Sequence, residues 1–486
     1  MSSTRKSRRA KKRPAPTTRS APAPAARPAE ADPAAGSDGR LGLAGATALV
    51  VGTIVGVGIF NLPTAFAGFG PISLVSMALT TVGALALGMV FAALARRMPA
   101  EGGPYAYARL AFGNRHGFVN AWSYWITGWA GNAAIAVGWV LYVEVFINTN
   151  HDKLWSILLV LVGLWVAAFI NLSGVKNMGA FQISTTVLKF SALAFVSVVG
   201  LFYIDSGNYA PWNVSGESAI DAIGGGMAIA LFSYLGLETA SVAAAKVRNP
   251  DRNVPRATML GTLASAAVYM LSLIAVFGIM PTSELAEASA PYSAVVDSMF
   301  GGTAWGDVMA AVVIVSGMGA LNGWTMVAAE VPHAAAKDGL FPERFRSVNR
   351  RGAPAFAIVA STALSSLAIL VNYLGADGET VFTTLVLMTG ITAAIPYAFS
   401  AAAQIKWRVA DHKRVETPRF ARDMIVAVLA LLFSLLFIWY SRNTSESSWL
   451  YWAPYLMAAA ALALGIPVYK AQRERMATPG DVPPYR

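Results

Sequence analysis

The chain has 486 residues, of which 56% are hydrophobic and only 13% charged, with a net charge of +11. Soluble domains carry charge at about a quarter of their positions, so an ordinary soluble globule is excluded. The absence of cysteine excludes disulfides, thiol catalysis and cysteine metal sites.

Residues 1–40 hold six prolines and the basic cluster RKSRRAKKR. They cannot bury a core and are expected to be a disordered tail. The cluster could touch anionic lipid; the plainer reading is a solvated tail that reinforces orientation. No cleavable signal peptide is expected, because the tail is long and no cleavage site follows the first apolar run.

From Leu41 to Ala95 no residue is charged. A bilayer core takes about 20 apolar residues per helix, so this run predicts two crossings with a turn near 61–71. Largely apolar runs follow along the chain. All twelve lie at 43–66, 71–95, 117–143, 154–175, 177–204, 219–245, 257–283, 304–331, 354–376, 380–405, 424–441 and 449–469. An even number of crossings leaves both termini on one side. Of 37 Lys and Arg, only Lys153 and Arg442 fall in the loops of one face, and Lys189 lies within a span. The other 34 sit in the termini and in the loops at 96–116, 171–178, 246–256, 333–351 and 406–422. The positive-inside rule then makes both termini cytoplasmic. Topology explains the basic surplus, and no nucleic-acid partner is expected.

The first span reads VGTIVGVGIFNLP at 51–63, with Gly52, Gly56, Gly58 and Pro63 in its middle. Each interior glycine weakens a helix by about 1 kcal/mol relative to alanine. GxxxG also serves close helix packing. The third span carries Tyr124, Gly128, Asn132 and Ile135 at spacings of 4, 4 and 3, which put them on one stripe. Such a stripe suits a wall facing a solute or ordinary packing. Lys189 sits mid-span in TTVLKFSAL. The sixth span is interrupted at LFSYLGLETA, with Ser233, Gly236, Glu238 and Thr239 at membrane depth. A charge at the bilayer centre costs about 3 kcal/mol on insertion scales, so Lys189 and Glu238 read as functional. The glycine run at 223–226 lacks a following Lys-Ser/Thr and reads as packing, not a phosphate loop. Trp324 and Tyr397 are aromatic residues in the eighth and tenth spans.

Paired interruptions at corresponding positions of two halves point to a transporter binding site. An unwound segment frees backbone groups that hydrocarbon cannot satisfy and a polar solute can. The half-helix after the first break offers N–H groups to a carboxylate. Freed carbonyls of the sixth span suit an ammonium group. Together they make a receptor for an amino acid.

GVGIF, EGGPYAYARLAFG (101–113), FSYLGLE (232–238), VRNPDRNVPRA (247–257) and AAAKDGLFP (334–342) occur in that order. The chain, over about residues 41–470, resembles the amino acid–polyamine–organocation transporters, and among them the basic amino acid/polyamine antiporters of arginine/agmatine type. The resemblance implies an all-α integral membrane fold. Its twelve transmembrane helices would form a five-plus-five inverted repeat, sodium-coupled leucine transporter-like, with helices 1 and 6 broken. Outside residues 41–470 lie expected tails at 1–40 and 471–486, which the charge sorting makes cytoplasmic. The resemblance places the substrate carboxylate at Ile54, Val57 and Gly58, a stacking ring at Phe232, a side-chain partner at Asn132 and a gate aromatic at Trp324. Ser233 and Thr389 complete the expected substrate contacts. Tyr124, Glu238 and Tyr397 match an inner gate. Where arginine/agmatine exchangers have serine, tryptophan, methionine and alanine, this chain has Val57, Phe232, Ile135 and Lys189. Phe is the weaker cation–π partner. Lys189 resembles the lysine that takes the place of a sodium ion in other members, and is expected to reach carbonyls near Thr53–Gly56.

The expected function is exchange of a cationic amino acid and its amine across the cell membrane by alternating access. Alternatives are a proton-coupled amino acid symporter and, in a different class, a transporter-like nutrient sensor. No catalytic partner for Glu238 is evident, so an enzyme is not expected, and neither is a cofactor or metal. The expected partners are an amino acid or polyamine, the bilayer and a second copy of the chain in a homodimer.

Overall fold

The computed structural model describes residues 41–98, 103–174, 178–242, 244, 247–412, 417–442, 448–474 and 476, with the side chains of 178–181 and 448 left out. The predicted basic tail 1–40 and most of the predicted tail 471–486 lie outside the described residues. Apart from an isolated bridge between Leu41 and Val247, the described residues pair no strands.

Among the described residues eleven helices are long and apolar enough to cross a membrane. The first of them is split into α1 (Leu43–Ile54) and α2 (Gly58–Ala67). The next long helices are α3 (Ser73–Arg97), α5 (Asn114–Val143), α6 (Lys153–Leu172) and α7 (Met178–Val199), with α4 (Pro104–Phe112) lying in a loop. A shorter apolar helix, α8 (Ala219–Ala230), runs on as a 3₁₀ turn over Leu231–Tyr234. After an interruption comes α9 (Thr239–Val242). Then follow α10 (Pro250–Ile279), α11 (Thr282–Glu287), α12 (Pro291–Phe300) and α13 (Ala304–Lys337). The chain closes with α14 (Ala355–Tyr373), α15 (Gly378–Ala410), α16 (Thr417–Tyr440), α17 (Ser448–Ala463) and α18 (Gly465–Gln472). The loop helices α4, α11 and α12 went unpredicted. Each is too short or too polar to register as a crossing, although Pro104 and Pro291 stand at helix starts, where a missing N–H costs nothing.

Polar side chains cap several starts. Asp152 accepts from the N–H groups of Leu154 and Trp155, Ser218 from that of Asp221, and Asp377 from that of Thr380. Each satisfies donors that a helix end leaves open. The apolar run of α5 is buried along its length and forms the axis of the molecule. Around it pack α4, α6, α13, α14 and α15. Small residues permit the tightest approach: a Cβ on Gly128 of α5 would lie 2.9 Å from the Cα of Ala328 on α13. The run at 223–226 does the packing expected of it, since Gly224 faces Tyr440, Gly225 faces Phe69 and Gly226 faces Ser76. Leu154, Phe169, Leu432 and Trp439 remain exposed on α6 and α16, as they would against lipid.

Candidate functional site

The two interruptions meet. At the first, Val55 leaves helical geometry (φ −75°, ψ 88°), and the Gly56 N–H turns to the carbonyl of Ile54, 2.9 Å away. In a continuous helix it would have bonded to Gly52. The break therefore frees the Gly52 carbonyl. At the second, Leu235 is extended and Gly236 has φ +102°, a conformation suited to glycine. A Cβ on Gly236 would lie 2.9 Å from Thr53 Cβ and 3.0 Å from the Thr53 carbonyl carbon. Glycine is required there twice, by conformation and by contact.

Side chains from neighbouring helices serve the first break. Lys189 Nζ on α7 is buried and donates to the Gly52 carbonyl at 2.6 Å. The predicted tether exists, but it falls one residue ahead of Thr53–Gly56 and has a single acceptor. The reason is the bond just described, which makes Gly52 the first carbonyl released. Tyr269 on α10 donates to the Ile54 carbonyl at 2.8 Å. Below the break, Tyr142 on α5 donates to the Phe60 carbonyl at 2.7 Å. The N–H groups of Val57, Gly58 and Ile59 open α2 and donate to no backbone carbonyl among the described residues. Three adjacent donors at a helix start form a place for an anion.

A small cavity of about 10 Å³ lies between the breaks, room for roughly one water. Ile54, Gly58, Phe232, Ser233 and Trp324 line it, together with Ile135 of the predicted stripe. The ring of Phe232 rests on Gly58: a Cβ there would come within 2.7 Å of its Cδ1 and Cε1 atoms. Phe382 braces the ring edge-on, with centroids 6.2 Å apart. Ser233 Oγ is buried without a partner among the described residues.

Three predicted contacts do not reach the cavity. The Val57 side chain packs toward Gly317 on α13, leaving only its N–H at the break. Asn132 donates to Thr325 Oγ1 at 2.9 Å, and its oxygen has no partner. Thr389 donates to the Leu385 carbonyl of its own helix at 2.6 Å and turns its methyl toward Gly131. Buried amides and hydroxyls take the nearest partner available.

The predicted gate residues do come together. Tyr124 and Tyr397 donate to the two oxygens of Glu238, at 2.5 and 2.8 Å, and all three side chains are buried. They tie α5 and α15 to the segment that follows the second break. Phe91 of α3 packs edge-on against Tyr397 at 5.5 Å.

A family model described as amino acid permease matches residues 41–460. The chain belongs to this family. It is 31% identical over 400 residues to "Putrescine transporter PotE" of Haemophilus influenzae, covering 82% of this chain and 90% of that one. It is 30% identical over 376 residues to "Cadaverine/lysine antiporter" of Escherichia coli K12, covering 76% and 84%. The PotE protein of the same strain is 30% identical over 368 residues, covering 75% and 83%.

Sequence reasoning missed four lining residues of this permease, Thr53, Ile59, Gly131 and Leu235. Gly131 adjoins Asn132 on the stripe of α5, and Leu235 lies inside the quoted FSYLGLE, so both had a signal. Tyr269 and Tyr142 had none, because a tyrosine in an apolar run does not declare which carbonyl it will reach.

Proposed function

We propose that this chain is a secondary exchanger that carries a cationic amino acid one way and its amine the other. The observation that carries the reading is the meeting of the two breaks around one small cavity, with free donors on the α2 side. Those donors suit a carboxylate, and the face of Phe232 suits a cationic side chain. Relatives named as a putrescine transporter and a cadaverine/lysine antiporter support the substrate class.

In this reading the eleven long helices and the α8–α9 pair make twelve crossings. Ten of them form a five-plus-five inverted repeat of the sodium-coupled leucine transporter-like kind. Residues 41–470 are the transporter, and 1–40 and 471–486 are cytoplasmic tails in the plasma membrane protein. The cavity is too small for lysine, so the Phe232 ring must leave Gly58 before substrate enters. Glu238 and its two tyrosines close the inner path, and Lys189 stands where a coupling sodium ion would.

The test is uptake of labelled lysine, putrescine and cadaverine into proteoliposomes, preloaded with substrate or empty. Exchange requires strong uptake only into preloaded vesicles. A second reading, proton-coupled symport, is favoured by the buried Glu238 carboxyl, which can carry a proton. Proton-gradient-driven uptake into empty vesicles would select it.

A further inference from the structure

A second and much larger concavity, about 640 Å³, lies among α3, α10, α15 and α16, away from the breaks. Four arginines line it: Arg96 at the end of α3, Arg256 in the first turns of α10, Arg408 at the end of α15 and Arg422 at the start of α16. Among the described residues Asp423 is the one acidic lining residue. It bridges Arg408 at 2.7 Å and Arg422 at 3.0 Å. Among the described residues one of the four guanidinium charges is thus offset, and a surplus of three remains.

Two features separate this groove from a solvated basic surface. The first is unmet donor capacity. Among the described residues Arg96 and Arg256 pair with no carboxylate, and the Nε of Arg408 is buried with no acceptor. The contrast with the next residue is direct. Arg97 is ion-paired to Asp411 and stacks on Trp407 at 5.3 Å, so its charge is already used. The second feature is the wall. Met89 and Leu260, both exposed on helices of crossing length, line the same groove. Charged heads at four helix ends, set beside apolar stems that descend along those helices, match a molecule with an anionic head and hydrocarbon tails.

We propose that this groove is a binding site for an anionic phospholipid. The phosphate takes Arg96 and Arg256 and offers an acceptor to Arg408, while an acyl chain lies along Met89 and Leu260. Arginine suits the role because its planar fork meets phosphate oxygens in pairs. The lipid would tie the α3–α10 pair to the α15–α16 pair at their basic ends. The inference does not depend on which solute the central cavity carries.

The experiment measures lipid retained by the purified full-length chain after detergent exchange, with phosphatidylglycerol or phosphatidylcholine supplied. Phosphatidylglycerol should be retained and phosphatidylcholine washed away. At ~1 kcal/mol per arginine, Arg96→Gln with Arg256→Gln should weaken phosphatidylglycerol binding about 30-fold. Arg96→Lys with Arg256→Lys keeps the charge and should retain most of the binding. Removing the same charge at the exposed Arg344 and Arg346 should change nothing. Equal retention of both lipids, or undiminished phosphatidylglycerol binding in the Gln double variant, would overturn the proposal. So would displacement of the lipid by millimolar inorganic phosphate, which would make the groove a site for a free anion.

Discussion

Replacing Lys189 by methionine separates stability from transport. Methionine keeps an unbranched side chain reaching as far as lysine's Cε and removes the ammonium that holds the Gly52 carbonyl at 2.6 Å. That carbonyl has lost its helical donor to the break, so the variant leaves it bare in a buried site. An unsatisfied buried acceptor costs about 1–3 kcal/mol. The same energy favours rewinding the break, and it corresponds to a 5- to 150-fold drop in the broken conformation. Acting the other way, the ammonium is buried with one acceptor, and burying a poorly paired ion costs several kcal/mol. Deleting it should therefore leave the melting temperature unchanged or higher while exchange falls at least about 5-fold. The assay is exchange in proteoliposomes beside a thermal melt of the same preparation. A stable Lys189→Met protein with full exchange would refute the tether. So would wild-type exchange that rises when sodium replaces choline, because the proposed reading puts Lys189 in the place of a coupling sodium ion.

Gly236→Ala must hold φ near +102° with a Cβ 2.9 Å from Thr53, so exchange should be lost in a protein that still inserts; near-normal exchange would mean the breaks do not need this contact. Phe232→Leu should weaken a cationic substrate by ~1–2 kcal/mol, roughly 5- to 30-fold, and Phe232→Trp should be tolerated. Isothermal titration reads both, and unaltered lysine affinity in the Leu variant would remove the ring from recognition. Glu238→Gln keeps an acceptor for one tyrosine but has no proton to exchange, so it should flatten the pH profile of transport. A profile matching wild type would reduce Glu238 to a structural acceptor.

The breaks were legible because glycine and polar residues are conspicuous inside apolar runs, and their physical meaning in hydrocarbon is narrow. The spans and the sorting of charge followed from composition in the same way. The meeting of the proposed gate residues was legible only through the family motifs, since Tyr124, Glu238 and Tyr397 are far apart in the chain and nothing local pairs them. Less legible was the aim of side chains around the closed cavity. Asn132 was expected to meet substrate and instead meets Thr325, one residue from Trp324, which does line the cavity. Val57 was expected at the carboxylate, but only its backbone is there. Such differences arise because a helical stripe fixes a face and not a partner, and on α5 the stripe crosses from Tyr124, past α13, to the cavity.

The bonds at the first break also narrow how substrate can be recognised. Of the carbonyls the break releases, Gly52 is taken by Lys189 and Ile54 by both Tyr269 and the Gly56 N–H. The first break thus has donors to spare, while two of its freed carbonyls are engaged and those of Thr53 and Val55 accept no backbone hydrogen bond among the described residues. An α-amino group finds acceptors on the other side as well, where among the described residues Ser233 Oγ is unpartnered and the Phe232 carbonyl receives a long 3.3 Å bond from Leu235. The N–H groups for a carboxylate come from the first break, and the second adds oxygens for an ammonium group. An amino acid satisfies both, whereas its amine lacks the carboxylate and leaves the N–H groups of Val57, Gly58 and Ile59 to water. Unpaired buried donors cost about 1–3 kcal/mol each unless water reaches them. A permease that handles both partners of an exchange must therefore hydrate this helix start when it carries the amine, and the closed 10 Å³ cavity must widen more for the smaller solute's water than its carbon skeleton alone would require.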